Sequence, residues 1–531
     1  MLEFGLILAV ASGLILFLYG MEQFSAEIQR VAGERFRSFI RSATKSPARG
    51  ALLGAVVTAL VQSSTAVAVI TLGLVDTGLV SFSQSLAIIF GAGIGTTVTA
   101  QLVAFNITAL GIVFIPLGFL LSIFGGRFAF IGRPLFFFGL VYHSLGLVAG
   151  ATATLRDDPA LLSYISGLSD IPTALLVGFA VTNLFQSSGV FTGLVVVLAG
   201  NGILGVQESI VLILGSNIGT ITPLLSSFRL GLFAKRTAVA QFLYNVAGVI
   251  LILPFLPQFI SFIVSLGGSA AQQAANAHTL SNVIATGVFL IILQPFSRFV
   301  ERLVPGREEE ILFQTVSLND ELPQDSEKAF EMVEGELRHL LSNTTKVMER
   351  SKDVLHGEDG RAYHRLVKRE ALNDFLDEKI EKALLELSGR PLSPKAVSRN
   401  VILLRMSNAL EQIADLGVAM TISADAMRRS GKNMSADAMA DIDAVFFRIM
   451  DDMGHLSASF PSILDADIVA MRENDNLLRE QINSAYSKHL KRLYSKKAYS
   501  PATFVKCMSR LESAHGKLRE IRKLCELYRK P

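Results

Sequence analysis

The chain of 531 residues contains no tryptophan and only two cysteines, Cys507 and Cys525. Two thiols in so long a chain exclude a disulfide framework and read as free thiols in a reducing compartment. Charge is scarce in the first part: residues 1–298 hold 13 basic and 9 acidic side chains, leaving 36 basic and 37 acidic for residues 299–531. A step of that size near Arg298 marks a change of solvent, from lipid to water. The net charge of +3 gives no reason to expect nucleic acid as a partner. The apolar part has neither a central carboxylate pair nor a lysine at depth; Glu22, Asp76 and Glu208 fall near segment ends. This argues against a proton relay and toward coupling to another cation. The charged part lacks a Gly-rich phosphate loop, a Cys/His zinc spacing and a nucleophile–base set, so the chain is not expected to be an enzyme.

Apolar runs predict crossings at 4–22, 84–105, 107–124, 134–150, 206–227, 237–256 and 279–298. The first has no basic residue before it and no cleavage-site pattern, so it reads as a membrane helix and not as a removed signal. Two further stretches, 50–80 and 174–204, carry a polar cluster at their middle and read as re-entrant hairpins. With the N-terminus outside, the cytoplasmic segments receive Arg30, Arg35, Arg37, Arg41, Lys45 and Arg49, then Arg127 and Arg133, then Arg229, Lys235 and Arg236. The segment 151–171, with Asp157, Asp158 and Asp170 against Arg156, falls outside. Basic loops inside are the expected bias of a cytoplasmic (inner) membrane protein, and they leave the C-terminal part in the cytoplasm.

The apolar part repeats itself. At an offset of 124 residues Gly54–Thr97 overlies Gly178–Ile221 without gaps. Gln62-Ser63-Ser64-Thr65 falls on Gln186-Ser187-Ser188-Gly189, and Gly91-Ala92-Gly93-Ile94-Gly95-Thr96 on Gly215-Ser216-Asn217-Ile218-Gly219-Thr220. A shorter echo joins Ala240–Asn245 to Ala277–Asn282. Three predicted crossings between the hairpins would invert the second copy, the architecture of secondary transporters with a site at the midplane. The fold class is therefore all-α: a polytopic membrane part with inverted repeats around 50–105 and 174–227, and a soluble helical bundle behind it.

A helix broken inside a membrane must satisfy its backbone within protein or beside a water-filled cavity. Two short helices meeting there can aim their N-termini at one anion. Ser hydroxyls and the Gln amide can donate to a phosphate-like oxyanion and also offer oxygen to a hard cation such as sodium. Gln62, Ser63, Ser64, Gln186, Ser187 and Ser188 are thus the candidates for the anion. Thr65, Thr96, Thr97, Asn217, Thr220 and Thr222 are candidates for sodium or for completing the site. The glycines of the second motif would either break the next helix or permit tight helix packing. Asn245 and Asn282 read as interhelical hydrogen-bonders; His278 is the best remaining candidate for a titrating group, or else a hydrogen-bonded interface residue.

These paired Gln-Ser-Ser hairpins, the Gly-x-x-Ile-Gly-Thr segments and Ala277-His278-Thr279-Leu280-Ser281-Asn282 resemble the type II sodium/phosphate cotransporter family over residues 1–298. The resemblance implies sodium-driven transport of inorganic phosphate, with both Gln-Ser-Ser clusters in or beside the phosphate and sodium sites. Gly189 departs from the hydroxyl-rich pattern that Thr65 keeps. A phosphate exporter, a carrier of another oxyanion and a membrane phosphate sensor stay open, as does a homodimer.

After a linker at 299–326, the region 327–531 is expected to hold six amphipathic helices, at 327–356, 361–388, 395–427, 435–458, 464–493 and 502–529, arranged as two three-helix bundles. Glu370 and Asp374, and Glu411 and Asp415, stand four residues apart on one helix face. Such pairs could hold a divalent or iron-type metal, or could be an ordinary solvated face. This region resembles the PhoU family of phosphate-signalling proteins, which implies E-x-x-x-D metal motifs and a cytoplasmic regulatory role with its own partner. Arg510–Gly516 looks like a decayed second copy, with Gly516 where the aspartate would stand.

Overall fold

The computed structural model describes residues 2–43, 46–105, 108–153, 167–306, 310–318, 321–357, 360–429, 434–457, 459–494 and 501–529. Lys45 and the loop residues Arg156, Asp157 and Asp158 lie outside them. Among the described residues every regular element is a helix, and the chain divides into two compact units, Met1–Glu310 and Ile311–Pro531.

The first unit opens with α1 (Leu2–Ala43), then α2 (Pro47–Val61) and α3 (Ser64–Asp76), α4 (Phe82–Ala104), α5 (Thr108–Phe124) and α6 (Ala129–Ala153). The second repeat follows as α7 (Ile171–Phe185), α8 (Ser188–Gly200), α9 (Val206–Ile218) and α10 (Thr222–Ser226). The unit closes with α11 (Leu232–Ile252), α12 (Leu256–Ser265), α13 (Ala270–Ile291) and α14 (Leu293–Leu303). Both expected hairpins are thus present as two short helices each, and both break at Gln-Ser.

Six described stretches are long and apolar enough to cross a membrane: Leu8–Ile28, Phe82–Ala104, Ala129–Ala153, Val206–Arg229, Leu232–Ser265 and Ala270–Ile291. The segment expected to cross at 107–124 forms a helix over that stretch, Thr108–Phe124, paired closely with α6. One boundary corrects an expectation. The last crossing starts nine residues earlier than the apolar run at 279 suggests. The reason is local: Ser269 and Gln272 form a capping box, each side chain bonding the other's backbone N–H, which nucleates the helix at Ala270. Polar side chains in Ala270–Asn276 hid that turn from a hydropathy reading.

The glycine run of the first repeat also differs from one of its two readings. Helix α4 passes unbroken through Gly91, Gly93 and Gly95. Gly91 and Gly95 serve close approach: a Cβ on Gly91 would stand 1.8 Å from Ala51 O, and one on Gly95 2.3 Å from Ala55 O. Gly54 answers from α2, where a Cβ would stand 1.9 Å from Ile88 O. The second repeat packs α7 on α9 the same way, with Gly178 against Leu212 O, Gly215 against Leu175 O and Gly219 against Phe179 O. Glycine at these positions seats each hairpin's first helix backbone to backbone on the next long helix. In the second repeat alone, the helix stops at Ile218, and α10 starts at Thr222 with Pro223 in its first turn.

The second unit holds α15 (Ser326–Leu355), α16 (Gly360–Ser388), α17 (Pro394–Arg429), α18 (Ala436–Ser457), α19 (Asp465–Tyr494) and α20 (Pro501–Tyr528), close to the six expected spans. One apolar core runs through all six helices. Ile311 and Leu318 also bury themselves in it. The backbone N–H groups of Val316, Ser317 and Leu318 donate to one oxygen of the fully buried Glu336. Cys507 and Cys525 are free and buried in the same core.

Gly91→Ala and Gly215→Ala should lower the melting temperature of the detergent-solubilised chain and broaden its size-exclusion peak, because the added methyl meets rigid backbone. Gly73→Ala, in α3 with nothing within 4 Å of the new Cβ, should be neutral or stabilising by up to about 1 kcal/mol. Equal effects of all three would refute the packing account.

Candidate functional site

The break in each hairpin solves a backbone problem with side chains. Gln62 and Gln186 take left-handed conformations, φ 57° and 54°, and are the described non-glycine residues with positive φ. Such a backbone costs about 1–2 kcal/mol outside glycine. It ends the incoming helix within one residue. Ser63 and Ser187 then cap the outgoing helices, their Oγ atoms accepting from Ala66 N at 3.2 Å and Val190 N at 3.3 Å. Each helix therefore begins at the second serine, Ser64 or Ser188, in the interior of the unit.

Those two helix starts face one cleft. It holds about 380 Å³ of empty space and is lined by Ser64, Ile89, Ala92, Gly93, Thr96, Ser188, Asn217, Thr220, Gln241, Tyr244, Asn245 and Asn282. Of the residues the sequence nominated, Ser64 and Ser188 reach the wall from the hairpins, and Thr96, Asn217 and Thr220 from the following helices. Both halves contribute, at equivalent positions. A second hollow beyond Asn217 is lined by Asn217, Tyr244, Asn245, Ser281 and Asn282, among others.

The other nominated residues stand elsewhere. Ser63 and Ser187 are caps, and Thr65 is not on the cleft wall. Thr97 is buried and donates to Ile94 O at 2.8 Å. Thr222 is the first residue of α10. Gln62 is a strut: its Nε2 donates to Ala59 O at 2.5 Å and its Oε1 accepts from Thr99 Oγ1 at 2.7 Å. Gln186 is exposed. The asymmetry has a simple source, since the position equivalent to Thr99 is Pro223, which has no hydroxyl. Thr99 also sits where the second repeat lacks a hydroxyl, with its Oγ1 3.7 Å from a Cβ built on Gly189.

Four lining residues were misread or missed. Tyr244 was not singled out; its hydroxyl lies 3.0 Å from Thr286 Oγ1. Asn282 donates to His278 O at 2.9 Å, a bond within its own helix and not between helices. Asn245 reaches the cleft as well. Gln241 is buried, and its Oε1 has no hydrogen-bond partner. The short echo of 240–245 in 277–282 was the signal: polar residues at matched places in two apolar helices point to one polar cavity. His278 departs from its expected hydrogen-bonded role, since it is buried with both ring nitrogens unpartnered.

In the second unit three of the four nominated carboxylates come together, without Glu411. Carboxylate oxygens of Glu370, Asp374 and Asp415 lie within 4.8 Å of one another. Partial burial, with Asp374 and Asp415 alongside, pushes the Glu370 carboxyl up to about 7. Partial burial and Asp415, Asp377 and Asp374 push Glu411 to about 7 as well. Mutual repulsion of this kind is what a bound cation relieves, so the residues fit a metal.

A polytopic helical membrane protein with a polar cleft between two equivalent broken hairpins belongs to the class of secondary transporters. The comparisons agree. The Na+/Pi-cotransporter family profile matches residues 16–149 and 162–280, and the PhoU domain profile residues 337–421. The chain belongs to the Na+/Pi-cotransporter family and carries a PhoU domain. It is 31% identical over 311 residues to the "Uncharacterized protein YqeW" of Bacillus subtilis (strain 168), covering 57% of this chain and 100% of that protein. It is 24% identical over 504 residues to the "Putative inorganic phosphate export protein YjbB" of Escherichia coli (strain K12), covering 94% of this chain and 92% of that one. It is 36% identical over 136 residues to the "Sodium-dependent phosphate transport protein 2C" of Mus musculus, covering 24% and 22%. No solved structure matches.

Two outcomes follow from this geometry. Gln62→Gly should keep the hairpin, since glycine accepts positive φ, whereas the β-branched Gln62→Val should destabilise the chain by about 1–3 kcal/mol; thermal melts in detergent check this. For the acidic group the folded carboxyl values lie above the unfolded one near 4.5. Between pH 4.5 and 7 the folded state therefore holds more protons, and stability should fall as pH rises through that window. Glu370→Gln should flatten the slope in a pH series of melts.

Proposed function

We propose that the chain carries inorganic phosphate across the cytoplasmic membrane, coupled to sodium, through the cleft between its two hairpins. The observation that carries this reading is that Ser64 and Ser188, the first residues of α3 and α8, line the same cleft. Two helix N-termini bring partial positive charge and free N–H groups to one place, and each adds a hydroxyl donor. That suits a tetrahedral oxyanion without any fixed cationic side chain. The Gln241 Oε1 atom and the side-chain oxygens of Asn217, Thr96 and Thr220 suit sodium beside it. Equivalent positions in two repeats favour exposing the site alternately to either side. We place the N-terminus outside and the second unit in the cytoplasm, by the basic loops. Glu370, Asp374, Glu411 and Asp415 are the residues that would hold a metal in the PhoU domain, which we read as the regulatory part.

Outward carriage is the second reading, favoured by one finding: the relative matched over 94% of this chain, PhoU region included, bears the name of a phosphate export protein.

The test is radiolabelled phosphate flux in proteoliposomes, uptake and efflux, with and without a sodium gradient. Sodium-dependent flux should fall at least tenfold in both Ser64→Ala and Ser188→Ala. Flux confined to efflux would select the second reading. No flux in either direction by a folded wild-type protein would overturn the carrier and favour a sensor.

A further inference from the structure

The second bundle, α18–α20, has two chemically different ends. At one, Asp441 near the start of α18 pairs with Lys488 at 3.1 Å and Arg492 at 2.7 Å, both near the end of α19, with the start of α20 beside them. At the other, Arg529 just past α20 pairs with Asp465 at the start of α19 at 2.6 Å. The first end carries apolar and basic side chains that the carrier reading leaves unused. We propose that the tip formed by Leu490, Lys491, Leu493, Tyr494, Val505 and Lys506 docks on the surface of a bilayer that carries anionic lipid headgroups.

Helical spacing sorts the last two turns of α19. His489 and Arg492 face the bundle: the imidazole stacks on Phe504 of α20 with 4.2 Å between ring centroids, and the guanidinium lies 5.2 Å from the same ring. Phe504 itself is buried. Leu490, Leu493 and Tyr494, at positions i, i+3 and i+4, are left on the outer face, 56%, 37% and 91% exposed. Val505 joins them from α20, 42% exposed. The inward positions are already taken, so these four side chains stay at the surface. Large apolar side chains gathered in the open mark a surface that something covers.

Charge says what covers it. From Gln481 to Leu511 the sequence holds seven lysines and arginines and no acidic residue. Lys491 and Lys506, next to the apolar side chains, are exposed and make no ion pair among the described residues. Other exposed apolar residues of this unit stand in balanced charge. Val397 and Val401 flank Arg399, which pairs with Glu327 and Glu334. Leu464 and Leu527 flank the Asp465–Arg529 pair at the opposite end. Leucine and tyrosine set among uncompensated lysines suit an anionic bilayer surface, where apolar groups enter the headgroup region and ammonium groups meet phosphates. Tyrosine is at home at that depth, with its ring in the interface and its hydroxyl in water.

An acidic soluble protein is the competing occupant. The chain favours the bilayer because it brings that partner with it. Its first unit is a polytopic membrane protein, and the second is joined to it covalently. A lipid surface is therefore present at high effective concentration, and a contact too weak to capture a free protein suffices. The docking holds for either direction of phosphate carriage.

The test uses the full-length chain in nanodiscs of phosphatidylcholine, alone or with phosphatidylglycerol added. A fluorophore is attached at Ala502→Cys, exposed in the first turn of α20, or at Ser457→Cys, exposed at the opposite end of the bundle; Cys507 and Cys525 are buried. Brominated acyl chains quench a probe that enters the bilayer, and a disc shows the same lipid on both faces, so the result does not depend on which way the chain is inserted. Quenching of about twofold or more is expected at 502 in anionic discs, with little at 457, little in phosphatidylcholine alone, and relief by high salt. Lys491→Glu/Lys506→Glu should abolish it, and Leu490→Ser/Tyr494→Ser should weaken it. Circular dichroism melts accompany each variant; if the charge reversal melts lower, Lys491→Gln/Lys506→Gln decides. Quenching that is equal at 502 and 457, equal in phosphatidylcholine alone, or unchanged by the lysine substitutions would overturn the proposal. So would no quenching at 502 in anionic discs, which would leave the tip to the acidic protein.

Discussion

A polypeptide that stops being helical inside an apolar hairpin has lost its backbone partners where water is scarce. Almost everything else in the first unit follows from how that loss is repaired. Glutamine in the left-handed region ends one helix within a single residue, and the next serine caps the new one through its side chain. Because the repair is complete within three residues, the second serine is free to face the cleft from the head of a helix. The polar cleft is therefore a consequence of backbone accounting done locally, twice, at equivalent places.

The glycines carry that local solution into three dimensions. A hairpin of short apolar helices has little to hold it at a fixed depth. Gly54 with Gly91 and Gly95, and Gly178 with Gly215 and Gly219, let backbone touch backbone along each long helix. Close-packed interfaces of this kind leave few rotamers to choose, so the serine at each break is positioned rigidly. The two halves are then made chemically unequal by single residues. Thr99 braces Gln62 while Pro223 cannot brace Gln186, and Asn217 offers an amide to the cleft where its counterpart Gly93 offers none.

The second unit handles polarity by the opposite rule. Its carboxylates are either satisfied by neighbours, as Glu336 is by three backbone N–H groups, or left crowded in groups that repel. Glu370, Asp374 and Asp415 crowd at the edge of the first bundle, whereas Asp452 and Asp475 inside the second are held by Asn474 and Arg522. Partial burial and the neighbouring carboxylates together push the Glu370 and Glu411 carboxyls up to about 7.

How much was legible follows from range. The 124-residue repeat, the hairpin breaks and the six long helices depend on neighbours within one or two turns, and the residue pattern alone determined them. So did the nomination of Ser64, Ser188, Asn217 and Thr220. The fate of Gly91–Gly95 did not, because glycine serves a break and a close contact equally well, and only the partner helix α2 chose between them. For Gln241, Tyr244, Asn245 and Asn282 the echo of 240–245 in 277–282 marked polar positions and no more: their helices α11 and α13 come from outside the main repeat, and nothing local says which face meets the hairpins. The sequence by itself determined which segments break, cap and repeat, since those are contests between a backbone and its own side chains. The tertiary structure alone decided which polar groups share a cavity, since that depends on packing between segments distant in the chain.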